Sequence, residues 1–167
     1  MIDLKRYIRD VPNFPRPGIL FRDIAPLLRH NLSDAIDAMS GLLDAAGWQD
    51  VDAVAGIESR GFIFAAALAL RHHKGFVPIR KQGKLPPPVL CAPYQLEYGT
   101  GVLEMQPGAG KLLLVDDVLA TGGTLQAAAD LAALAGYQVN RLIVLIDLQL
   151  PAGARVEHQP VLSVIQY

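Results

Sequence analysis

An apolar run that stops at two adjacent acids, crosses a loop of small residues and enters a helical pattern leaves this chain few folds to choose from. It occupies residues 112–124, Leu-Leu-Leu-Val-Asp-Asp-Val-Leu-Ala-Thr-Gly-Gly-Thr. Residues 112–115 show no apolar–polar alternation, so a strand made from them must be covered on both faces, as interior strands of parallel sheets are. Residues 125–135 keep helical spacing and stop at Gly136. A loop between such a strand and such a helix lies at the carboxyl edge of the sheet, where open α/β folds bind ligands. Ala120, Thr121, Gly122, Gly123 and Thr124 barely shield their backbone N–H groups, so these, the helix N-terminus and the threonine hydroxyls can converge on a phosphate. Asp116 and Asp117, just outside that cradle, are placed to accept hydrogen bonds from sugar hydroxyls. An ordinary turn with a helix cap also fits the segment, although no Walker or dinucleotide glycine pattern follows a strand.

The rest of the chain supplies the partners that a doubly covered strand needs. Residues 51–57, 75–80, 141–147 and 161–165 read as strands, and 61–71 reads as an alanine-rich helix packed close to its neighbouring strand. An amphipathic helix is expected over 34–46, stopped at Gly47, with a short helix over 1–9. Residues 12–18 hold three prolines and should be irregular. Residues 81–106 form a long, weakly patterned segment, which in a compact domain means a functional lid or a β-excursion. Strand and helix alternate through the middle of the chain, so the economical fold is α/β, a parallel twisted sheet flanked by helices on both faces.

Composition narrows the class. With 167 residues, 51% of them hydrophobic, the chain suits a single domain over 1–167. A net charge of −1 offers no electrostatic case for nucleic acid or an anionic membrane. The apolar stretches are too short to span a bilayer and the first residues lack a signal-peptide core, so a cytoplasmic location is expected. Cys91 is the one cysteine, which excludes an internal disulfide, and His30, His72, His73 and His158 show no metal spacing and read as surface residues.

Two further constellations carry charge to strand ends. Gly56-Ile-Glu-Ser-Arg-Gly61 repeats the strand-to-helix geometry, and Arg60 with Ser59 and the helix amides can hold a second anion. Pro78-Ile-Arg-Lys-Gln-Gly-Lys-Leu-Pro86 brings Arg80, Lys81 and Lys84, suited to a leaving pyrophosphate. Glu97 is the only acid between Glu58 and Glu104. Each group alone also fits a solvated turn, but two anion sites at one sheet edge match a sugar carrying phosphate at one end and pyrophosphate at the other. A lid over its anomeric carbon would keep water from an oxocarbenium-like centre.

Residues 112–124 resemble the phosphoribosyl pyrophosphate motif of the type I phosphoribosyltransferases. Beside them, Phe14-Pro-x-Pro-Gly-Ile-Leu-Phe-Arg-Asp-Ile-x-Pro-Leu-Leu28, Gly56-x-x-Ser-Arg-Gly-Phe-x-Phe64, Arg80-Lys-x-Gly-Lys-Leu-Pro86 and Leu96-Glu-Tyr-Gly99 resemble the adenine phosphoribosyltransferases over nearly the whole chain. The resemblance implies the type I fold with an N-terminal hood over 1–33 and a β-rich lid over 81–106. It implies 5′-phosphate on Ala120, Thr121, Gly122, Gly123 and Thr124, and ribose hydroxyls on Asp116 and Asp117. Pyrophosphate would fall to Arg60 and Lys84, the base would stack on Phe21 and be read by the backbone of Leu20 and Arg22, and Glu97 would be the general acid/base. Also implied are a homodimer, a cis Glu58–Ser59 peptide, and Mg²⁺ held through pyrophosphate, ribose hydroxyls and water rather than by the protein directly. Pro87, Pro88 and Pro93 depart from the family pattern and bear on lid mobility.

The expected substrates are therefore adenine and phosphoribosyl pyrophosphate, with AMP and pyrophosphate as products. Where relatives that use 6-oxopurines carry an Asp serving the ring nitrogen, this chain has Ala120, and a 6-amino group asks for an acceptor that a backbone carbonyl supplies. Other bases, such as xanthine, hypoxanthine or guanine, are the alternative within the class. Outside it stands a non-catalytic phosphoribosyl-pyrophosphate sensor, which would need a DNA-binding part.

Overall fold

The structure is a computed structural model that describes residues 2–96, 99–150, 156 and 160–167. A 3-10 turn, η1 (Leu4–Tyr7), leads into a two-stranded antiparallel ribbon of β1 (Arg9–Pro12) and β2 (Leu20–Asp23). Then come α1 (Ala25–Ser40), α2 (Ala45–Gln49), β3 (Ala53–Ile57), α3 (Arg60–Arg71), β4 (Gly75–Lys81), β5 (Leu90–Leu96) and β6 (Gly99–Met105). The last elements are β7 (Gly110–Leu119), α4 (Gly123–Leu134), β8 (Tyr137–Asp147) and β9 (Val161–Gln166). Among the described residues the main sheet runs β5-β6-β4-β3-β7-β8-β9. Pairings from β4 through β9 are parallel, while β6 joins β4, and β5 joins β6, antiparallel.

The unbroken apolar run of β7 finds its reason in the two cores. Leu113 and Val115 pack with Leu27, Met39, Phe64 and Leu68 from α1 and α3, whereas Leu112 and Leu114 pack on the other face with Leu125 and Leu131 of α4. β8 divides its residues in the same way, Ile143 and Leu145 against Leu142 and Val144. A polar residue at any of these positions would be desolvated, so alternation is absent where both faces are covered. Helix α3 sits very close to β3: a Cβ on Gly56 would stand 2.7 Å from that of Ala65, which only glycine allows.

Several boundaries differ from the sequence reading. The helix expected over 34–46 is instead α1, which begins with Pro26 in its first turn, is interrupted at Asn31 (φ −140°, ψ 33°) and is capped by Gly41. Gly47 does not stop it, because it lies inside α2, where its amide is bound by the Asp44 side chain at 2.7 Å. Leu42 and Leu43 still pack into the core beyond the helix end, which prolongs the apolar pattern past the helix itself. Of the helix expected over 1–9 only η1 forms, and the ribbon β1–β2 that follows was not foreseen. Pro12 can end β1 because a two-stranded ribbon has an open edge where a missing N–H costs nothing. Residues 81–106 do hold an antiparallel excursion, and α4 packs against both of its strands.

Strand β7 runs on to Leu119, so Asp116 and Asp117 lie within the strand rather than beyond its end. His72, read as a surface residue, is half-buried. Its ring stacks on Trp48 with centroids 3.5 Å apart, and its Nε2 lies 2.7 Å from Ser40 Oγ. Among the described residues, no helix is long and apolar enough to cross a membrane.

Candidate functional site

The carboxyl ends of β3, β4 and β7 meet at one edge of the sheet, which brings Ser59 and Arg60, Arg80 and Lys81, and Asp116 and Asp117 to that edge. Gly122 takes φ +86° at the N-terminus of α4, a conformation that glycine adopts freely, and no side chain caps the helix there. The first amides of α4 therefore keep their donors for something else. Ala120, Thr121, Gly122 and Thr124, with Val118, Leu119 and Leu125, line a hollow of about 60 Å³, room for a compact anion rather than a sugar ring.

Asp116 and Asp117 directly precede, on β7, the residues that line that hollow. Asp116 Oδ1 accepts the Asp117 amide at 2.9 Å. It also presses on α3, since a Cβ on Gly61 would approach it to 3.0 Å. Asp117 is 5% exposed, and its Oδ2 lies 2.8 Å from Arg60 Nε yet makes no hydrogen bond. Burial raises the Asp116 carboxyl well above its usual range, and the charge of Asp117 raises it further. Burial raises Asp117 as well, against the opposing pull of Arg60. The two acids titrate as a pair, and the one buried oxygen without a hydrogen bond, Asp117 Oδ2, favours a partner that brings a hydroxyl donor or positive charge.

Across the edge, the Glu58–Ser59 peptide is cis, as the sequence led us to expect, and Ser59 is the N-cap of α3. Arg60, the first residue of α3, reaches Asp117 on one side and lies 5.1 Å from the Phe21 ring centroid on the other. Phe21 is held edge-on by Phe14, with centroids 5.1 Å apart. Strand β2 is thereby brought over the site. The Arg22 side chain is occupied within the hood, ion-paired to Asp10 and stacked 3.7 Å from the Tyr167 ring centroid, and Leu20 is half exposed.

The basic cluster converges, but around an acid that sequence reasoning passed over. Glu58 accepts Lys84 Nζ at 2.5 Å, Lys81 N at 3.0 Å and Arg80 Nε at 3.2 Å. Burial alone would raise its carboxyl; the hydrogen bonds from Lys84, Lys81 and Arg80 outweigh burial and hold it at about 2. The signal for this hub was its place directly after a strand whose parallel neighbour ends in Arg80-Lys81. A second acid, Glu104, is 2% exposed and was also missed. Glu97, the expected proton carrier, lies outside the described residues.

Residues 27–165 match the phosphoribosyl transferase domain family. The chain is 54% identical to an adenine phosphoribosyltransferase of Bdellovibrio bacteriovorus, over 99% of this chain and 100% of that one. Its fold is similar to the crystal structure of adenine phosphoribosyltransferase from Rhodothermus marinus, with a TM-score of 0.86, 45% identity, and coverage of 98% of this chain and 96% of that one. It is also similar to the Saccharomyces cerevisiae adenine phosphoribosyltransferase complexed with D-2,5-dideoxy-2,5-imino-altritol 1,6-bisphosphate and adenine. There the TM-score is 0.89 at 36% identity, covering 97% of this chain and 96% of that one.

Proposed function

The chain belongs to the phosphoribosyltransferase family, and on that premise we propose that it transfers the 5-phosphoribosyl group of phosphoribosyl pyrophosphate to adenine, giving AMP and pyrophosphate, a purine salvage reaction. The observation that carries this reading is the convergence, at one sheet edge, of an uncapped helix N-terminus, an acid pair of which Asp117 is buried, and a basic cluster. A ligand with two anionic ends and a polyol between them fits that arrangement. Residues 120–124 take its 5′-phosphate through backbone amides and the Thr121 and Thr124 hydroxyls. Asp116 and Asp117 accept hydrogen bonds from the ribose hydroxyls. Arg60, Arg80, Lys84 and Ser59 take up the pyrophosphate charge as it leaves.

The hood supplies the base site: Phe21 stacks on the purine, the backbone of Leu20 and Arg22 reads its edge, and Glu97 exchanges the ring proton. Placement contributes most, because attack at an anomeric carbon needs base and sugar held at bonding distance with water excluded. The site also suits Mg²⁺ without direct protein ligands, since Asp116 and Asp117 offer hard oxygens, one of them buried without a hydrogen bond, that could hold the ion's water shell and the ribose hydroxyls beside the place assigned to the polyanion. Held through pyrophosphate, ribose hydroxyls and water, such an ion would supply positive charge to the leaving group. The reading carries with it a cytoplasmic homodimer. Support for a dimer comes from Ile63, Leu70 and Phe76, large apolar side chains exposed on α3 and β4, with Phe62 set edge-on to Phe76.

Incubation with phosphoribosyl pyrophosphate, Mg²⁺ and one base at a time tests the assignment. AMP should form from adenine, with little nucleotide from hypoxanthine, guanine or xanthine. Preferential use of a 6-oxopurine would refute it.

A further inference from the structure

Glu104 lies on β6 yet spends its carboxylate on a neighbouring turn. Its Oε2 accepts the Gly83 amide at 2.9 Å, and its Oε1 accepts the amides of Lys84 and Leu85, each at 2.6 Å. Gly83 takes φ +87° there, a turn that presents consecutive N–H groups to one anion. The tethering recurs two residues to either side: Val102 O accepts Gln82 N at 3.0 Å, and Gln106 Nε2, just past the end of β6, donates to Pro86 O at 3.0 Å. Segment 82–86 is thus laid along β6. Lys84 is held at three points, its amide by Glu104, its carbonyl by Arg80 Nη1 at 3.3 Å and its ammonium by Glu58 at 2.5 Å.

A buried carboxylate is costly unless its lone pairs are filled, and an apolar residue would be cheaper to bury at this position. What the acid adds is a fixed place for the turn. We propose that Glu104 is the positioning residue for the pyrophosphate end of the site, setting through three consecutive amides where the Lys84 ammonium stands. The inference rests on the reading of Arg80 and Lys84 as pyrophosphate ligands. Glu104 touches no substrate in this arrangement, because its oxygens face amides and the ammonium goes to Glu58.

Glu104→Gln and Glu104→Ala test it, with Gly83→Ala as a third variant that strains the same turn without touching β6. A Cβ on Gly83 meets nothing within 4 Å, so only the backbone conformation is challenged. In Glu104→Ala the KM for phosphoribosyl pyrophosphate and the Kd for inorganic pyrophosphate with Mg²⁺ should rise about tenfold or more, as expected for lost charge-assisted hydrogen bonds. Glu104→Gln keeps the two bonds of one oxygen and turns a donor toward the Gly83 amide, so its effect should be intermediate. The KM for adenine should stay near the parent value in all three. Unchanged pyrophosphate affinity in a cooperatively melting variant overturns the proposal, as does a parallel rise in both KM values. If Glu104→Ala does not fold, Glu104→Gln and Gly83→Ala decide. A parent protein that makes no nucleotide from any base brings down the assigned reaction, and the Glu104 proposal is then decided by pyrophosphate titration alone.

Discussion

Glu58 and the Asp116–Asp117 pair are acids at the same sheet edge, and they sit in opposite electrostatic balance. Glu58 has its oxygens filled by an ammonium, a guanidinium and an amide, and its carboxyl is held at about 2. Both aspartates are pushed up by burial, Asp116 further by the charge of Asp117, and Asp117 Oδ2 lacks a hydrogen bond although Arg60 is close. A satisfied acid organises its neighbours. An under-satisfied buried acid stores an unfavourable interaction that a ligand bearing hydroxyls can relieve. On the proposed assignment, the difference separates an acid that builds the site from a pair that would receive substrate.

The largest expected effect breaks the second half of that comparison. Asp116→Asn combined with Asp117→Asn removes two charged acceptors, so turnover should fall roughly a hundredfold to ten-thousandfold, mainly through weaker sugar binding, at about 1.5–3 kcal/mol per bond. Calorimetry with phosphoribosyl pyrophosphate checks this, and unchanged affinity would show that the pair does not hold the ribose. Next in size is Glu97→Gln, which removes the proposed proton carrier while keeping its shape. Turnover should drop on the order of a hundredfold or more with adenine affinity nearly unchanged. Near-parent turnover would take Glu97 out of the reaction.

Glu58→Gln tests the organising acid. Without its charge, Lys84 and Arg80 lose their common partner, so the KM for phosphoribosyl pyrophosphate should rise about tenfold, the size of one charge-assisted hydrogen bond. A lowered KM would mean instead that Glu58 competes with substrate. Its pH signature follows from the depressed carboxyl: the stabilisation is complete above the ordinary value of 4.5 and is lost as pH falls through about 2. Melting curves between those limits should be flatter for Glu58→Gln than for the parent protein.

The smallest effect has the opposite sign. A raised carboxyl favours the fold below its ordinary value of 3.8, and that contribution is lost as pH rises through the folded-state value. Asp116→Asn cannot ionise and keeps an oxygen for the Asp117 amide, so near neutral pH it should melt higher, by roughly 2–4 °C for each kcal/mol recovered. A lower melting temperature would show that the aspartate pair is satisfied after all.

Much of this was legible in the chain because it is local. The cradle from Ala120 to Thr124 consists of contiguous residues whose lack of bulk is itself the signal, and β7 announced its double burial by the absence of alternation. The hood ribbon was not legible: β1 and β2 are four residues each, flank a proline-rich turn and draw their order from pairing with each other. The end of α1 was misread because Leu42 and Leu43 continue an apolar pattern after the helical hydrogen bonds have stopped.

The sequence by itself determined the α/β class, the strand that carries the aspartates and the loop beside them, since each follows from periodicity or side-chain size within a dozen residues. Only the tertiary structure decided which acids would be filled and which left wanting. Glu58 meets Lys84 across 26 positions, Glu104 meets Gly83 across 21, and Asp117 meets Arg60 from another strand end. Whether a carboxylate organises a site or waits for a ligand depends on how many donors reach it and how much water is excluded, and both are set when distant segments pack.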